Sequence, residues 1–87
     1  MNATPKIRIF AVNFVRVDVN ELSMWFSYET MIAFQAPETG LVVHQNDWST
    51  TTGKHLNEID GGDYQAKNAR LSGSEFAKKF QEIQANY

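Results

Sequence analysis

The chain of 87 residues has no cysteine. That removes disulfides, thiolate metal sites and a cysteine nucleophile together. No apolar run approaches the ~20 residues needed to span a bilayer. The opening, MNATPKIRIF, lacks the basic-then-apolar plan of a secretory signal. A cytoplasmic setting away from membranes is therefore expected. Positive charge is missing from one long interval: between Val17 and Gly53 there is no lysine or arginine, while Asp18, Glu21, Glu29, Glu38 and Asp47 all lie there. The net charge of −2 is too small to steer a nucleic acid or a membrane surface globally.

What is present is apolar. Hydrophobic residues make up 43% and aromatics 13%, ample for a core and contrary to disorder. The length sets one domain, 1–87, with residues 1–5 as a frayed polar arm. A chain this small buries only about 60–65% of its unfolded surface, so its stability margin is thin.

The chain is organised around residues 40–60, GLVVHQNDWSTTTGKHLNEID. Leu41, Val42 and Val43 suit a pleated strand. Asn46 and Asp47 break it, because their side chains compete for backbone hydrogen bonds. Asp47 or Ser49 then caps a helix, in which Trp48, Leu56 and Ile59 share one face. Gly53 inside that helix costs roughly 1 kcal/mol against alanine, which a close approach to the sheet or a later helix start would explain.

Before this joint the residues read as sheet. Residues 6–19 are rich in Ile, Val and Phe, with a parity that shifts twice, so a bend near residues 11–14 should give one bent strand or two short ones. Residues 18–23 read as a turn. Met24, Phe26 and Tyr28 then alternate with Trp25 and Ser27, and residues 31–36 resume the extended pattern with Ile32 and Phe34 inward. Pro37-Glu38-Thr39-Gly40 is a hairpin turn. After the joint the residues read as helix. Gly61 ends the first one, and Asp63 can cap a short turn. Ser72 and Glu75 have capping-box spacing, flanked by Leu71 and Phe76 as a staple. Phe76, Phe80, Ile83 and Tyr87 form one stripe. The expected fold is α+β, a three- to four-stranded antiparallel sheet with two C-terminal helices packed on one face.

The chemistry-bearing patterns are weak. Thr52-Gly53-Lys54 imitates a phosphate loop, but Trp48 and His55 stand where that loop needs glycine and a hydroxyl. His44 and His55 lie eleven apart, on a strand and a helix; a metal site with Asp47 can be drawn, but a surface position for each is the plainer reading. No Gly-x-Ser-x-Gly elbow marks a serine nucleophile. Glu58, Asp60 and Asp63 do not match a calcium loop and read as a helix end. Ser49, Thr50, Thr51 and Thr52 read as caps. No catalytic residue, cofactor or metal is expected.

Tyr28-Glu29-Thr30, Ile32-Ala33-Phe34, residues 40–43 and above all Asn46-Asp47-Trp48-Ser49-Thr50-Thr51-Thr52-Gly53-Lys54-His55-Leu56 resemble a small domain family found in phage and mobile-element proteins. The similarity covers residues 23–59, and Met31 stands where that family more often has proline. The resemblance implies a phage-type, intracellular context and supplies no catalytic residues.

Two functional expectations follow. In the first, this is a non-enzymatic phage accessory protein that binds and inhibits a host protein. Its strongest form is an anti-CRISPR or other anti-defence inhibitor. It would present the acidic residues Asp18, Glu21, Glu29, Glu38 and Asp47, with Trp25 as anchor, to a basic nucleic-acid-binding complex. The plainer reading of those acids is surface solubility. In the second, it is a nucleic-acid-binding module using Lys6, Arg8, Arg16 and Lys54, with Trp25, Phe26, Tyr28 and Phe34 for stacking. An exposed edge strand also allows a homodimer.

Overall fold

A computed structural model describes residues 4–87; residues 1–3, part of the expected arm, lie outside the described residues. Five antiparallel strands run in sequence order: β1 (Lys6–Ala11), β2 (Phe14–Val19), β3 (Leu22–Ser27), β4 (Thr30–Ala36) and β5 (Gly40–Val43). Three helices follow: α1 (Thr50–Asp60), α2 (Tyr64–Ala69) and α3 (Gly73–Gln84). The α+β class and the antiparallel sheet are as expected. The sheet is larger, because the bend at residues 11–14 is a full hairpin turn that divides the first apolar run into β1 and β2. The short turn after Asp63 is a third helix, capped by the Asp63 carboxylate accepting from the Ala66 N–H.

The helices do not share one face. Paired residues on neighbouring strands point to the same side, and successive residues to opposite sides. Trp25, Ala33 and Val43 are cross-strand partners, and they pack with Phe14, Ile32 and Leu56 of α1. Met24, Phe34 and Val42 are the next set of partners, and with Leu22 and Ala36 they pack against Phe76, Phe80 and Ile83 of α3. The sheet is thus sandwiched between α1 and α3. A β-bulge opposite Trp25 shifts the register, so that Ile32 joins the α1 side while Met31 packs on the α3 side. This is why Ile32 and Phe34, two apart and both fully buried, belong to different cores.

Local signals set the helices. Ser49, not Asp47, caps α1 by accepting from the Thr52 N–H. Gly53 makes its close approach to the Asn46 side chain, not to the sheet: a Cβ there would sit 2.9 Å from the Asn46 amide nitrogen. The Ser72 hydroxyl accepts from the Glu75 N–H and donates to its carboxylate, starting α3. Leu71, between α2 and α3, forms a parallel bridge with His44, donating to Val43 O and accepting from Gln45 N–H. The chain crosses the β5 edge there, passing from one face of the sheet to the other.

Candidate protein-binding surface

The helices cover the β3–β4–β5 side of the sheet and leave β1 bare. Every residue of β1 is exposed. Its alternation sorts the side chains cleanly. Lys6 and Arg8 pair with Asp18 and Arg16, and Arg16 pairs with Trp25, so this row lies on the α1 side. Ile7 and Ile9 pair with Val17 and Val15 and lie on the α3 side. Ile9 is 73% exposed, and Val12 at the hairpin tip 95%. Phe10 is also exposed, and its ring stands 4.9 Å from that of the buried Phe14.

The basic row is uneven. The Arg16 guanidinium lies 5.0 Å from the Trp25 ring centroid, donates to Asp18 Oδ1 at 2.8 Å and reaches Ser23 Oγ at 3.2 Å. Burial alone would raise the Asp18 carboxyl, but the hydrogen bonds from Ser23 and Arg16, with the nearby guanidinium charges, hold it below its usual value. Lys6 and Arg8 form no ion pair among the described residues. Three cations against one carboxylate leave this patch positive.

The six residues expected to form an acidic docking face are scattered. Glu21 in the β2–β3 turn and Glu38 in the β4–β5 turn share one end of the sheet, with Asp18 nearby on β2. Glu38 accepts from Asn86 and from the Tyr87 hydroxyl. A backbone hydrogen bond first, then these two side chains, lower its pKa. Tyr87 is pushed up by burial, then by Glu38 and the charge of Glu21. Glu29 in the β3–β4 turn and Asp47 after β5 lie at the opposite end. Trp25 is 8% exposed, buried between Arg16 and the α1 core. Lys54 is separated from Lys6, Arg8 and Arg16; it lines a cleft with Lys67 and Arg70. Phe34 is fully buried and unavailable for stacking.

Both histidines are buried, not on the surface, and they serve different faces. His44 Nδ1 lies 2.6 Å from Gln45 O, and its ring sits against Phe76 and Trp48 on the α3 side. His55 stacks on Phe14 at 4.4 Å on the α1 side, with Nδ1 2.7 Å from Ser27 Oγ. Ser27 Oγ also lies 3.0 Å from Thr52 Oγ1. A serine beside a histidine invites a nucleophile reading. Ser27, however, is 2% exposed and already shared with Thr52, and among the described residues no carboxylate hydrogen-bonds to the His55 ring. The cluster ties α1 to β3. Its trace in the sequence was the i, i+3 spacing of Thr52 and His55; nothing marked Ser27 as their partner.

A family model described as a family of unknown function, DUF8033, matches residues 4–78. The chain belongs to that family. The match spans the whole sheet, α1, α2 and the first half of α3, so β1 and the α1-side core lie within the region the family shares, while Phe80 and Ile83 of the α3-side core lie beyond it. No curated protein and no solved structure matches the chain.

Proposed function

We propose that this chain is a non-catalytic accessory protein that binds a host protein and blocks it, in the cytoplasm and in the phage setting that residues 46–56 resemble. One observation carries the reading: four of the large exposed apolar side chains, Ile7, Ile9, Phe10 and Val12, fall on one hairpin at a sheet edge unpaired among the described residues. Apolar groups collected in this way, rimmed by charge, mark interaction sites. Glu21 and Glu38 form a secondary contact at the end where β1 begins. Glu29, Asp47 and Trp25 have no part in it. In its strongest form the target is a defence nuclease complex such as a CRISPR effector.

Affinity purification with mass spectrometry tests this. The intact chain, expressed in the host, should recover one partner in stoichiometric amount. The Ile7→Asp/Ile9→Asp variant should fold normally and lose that partner. An intact chain that recovers none, or a variant that retains it, overturns the proposal. Exchange of Glu21 and Glu38 for lysine should weaken the same partner severalfold; unchanged recovery removes the secondary contact.

The positive row formed by Lys6, Arg8 and Arg16 favours a second reading, a nucleic-acid module. Binding to single- or double-stranded probes should then be strongest near about 50 mM salt and fall steeply above it. No binding at low salt ends that reading.

A further inference from the structure

We infer that the β1 edge is a docking strip for an extended segment of a partner protein in which carboxylates alternate with branched apolar residues. This rests on the protein-binding reading above and names the chemistry of its partner. β1 is the outermost strand, so its outer backbone groups have no strand beside them among the described residues. An added strand would satisfy them through main-chain hydrogen bonds, while its side chains meet those of β1 at alternate positions. Directly opposed side chains stand about 5 Å apart on a shared face. Residues of the incoming segment on the α1 side therefore meet Lys6 and Arg8, and those on the α3 side meet Ile7 and Ile9. Carboxylates match the first pair and branched apolar groups the second. The paired register of β1 shifts between Ile9 and Ala11, so the strip is short, about residues 6–9.

Charge also decides against the obvious rival. A second copy pairing through its own β1 would bring two more lysine and arginine side chains into the same row, and opposed like charges destabilise a strand pair. Arg16 does not relieve them, because its charge is matched by Asp18. Cations on an edge strand are a known guard against self-pairing.

The test uses the full chain and two blocked peptides, Ser-Val-Glu-Ile-Glu-Val-Ser and Ser-Val-Lys-Ile-Lys-Val-Ser, followed by amide NMR shifts. The glutamate peptide should bind at least about fivefold tighter than the lysine peptide. It should shift resonances of residues 6–12 and weaken between about 50 and about 300 mM salt. Arg8→Glu should abolish the preference, and Lys6→Glu/Arg8→Glu should reverse it. Equal binding of both peptides, no binding, or shifts confined to another surface overturns the inference. So does a concentration-dependent dimer with protected β1 amides in the absence of peptide, which makes the second copy the occupant. A host partner lost on Ile7→Asp/Ile9→Asp but kept on Arg8→Glu, with no peptide preference, leaves the protein-binding reading standing and removes this one.

Discussion

At the scale of single residues, the firmest electrostatic contact is Asp60 with Arg70. Arg70 Nε donates to Asp60 Oδ2 at 2.8 Å and Nη2 to Oδ1 at 2.9 Å, and the two side chains are only 6–7% exposed. The same guanidinium reaches Asn57 Oδ1, so the end of α1 is fastened to the residue after α2. Removing one partner of a buried pair strands the other charge, so Arg70→Ala should cost about 3 kcal/mol in urea unfolding. Burial raises the Asp60 carboxyl, but the Arg70 hydrogen bonds, the Gly62 N–H and the guanidinium charge outweigh it, and the net pKa is lowered. A lowered carboxyl contributes stability that is complete above the unfolded value near 4 and is lost as pH falls through the lower folded value. Acid titration of the unfolding free energy should show this loss below about pH 4, and Asp60→Asn should flatten it. The pairing was not legible in the sequence: the partners stand ten positions apart across two glycines, and Asp60 read as part of a helix end.

Elements were more legible than contacts. The caps of α2 and α3, the glycine stop of α1 and the β4–β5 turn all depend on one to four neighbouring residues, and each forms where its residue types stand. The glycines after α1 differ in what they tolerate. Gly61 and Gly62 both have positive φ, at 88° and 67°. A Cβ on Gly61 meets nothing within 4 Å, whereas one on Gly62 would come within 2.6 Å of the Asn57 carboxamide. Gly61→Ala should therefore lose about 1 kcal/mol from strain alone. Gly62→Ala should lose more, because it also displaces the side chain that accepts from Arg70. Parallel thermal melts rank the two. The division of residues 6–19 into two strands was half visible: the change of parity marked a bend, but Val12 and Asn13 carry no glycine or proline to mark a hairpin.

The whole molecule was least legible. Strand periodicity tells which residues share a face, but not which face a helix will cover. Here the central strands are apolar on both sides, and the connection through Leu71 carries α3 around the edge. The β4 bulge hides this further by placing Ile32 and Phe34 in different cores. With two faces sharing β4, Leu56→Ala and Phe76→Ala should each destabilise by about 3 kcal/mol, one per face. Their effects should nearly add, since the side chains lie on opposite sides of the sheet. Chemical denaturation of the single and double variants checks this. β1 lies outside both cores, so its exposed side chains are free to change without loosening the fold. Its apolar content was plain in the sequence; that no helix covers it was not.

The bridge at Leu71 has one more effect. It occupies the outer side of β5 at Val43 and Gln45 and leaves only three residues of that strand's flank bare. One flank can receive a full strand and the opposite one cannot. Under the docking proposed for β1, the chain therefore offers one edge to an incoming strand, and one partner segment per molecule is the expected stoichiometry.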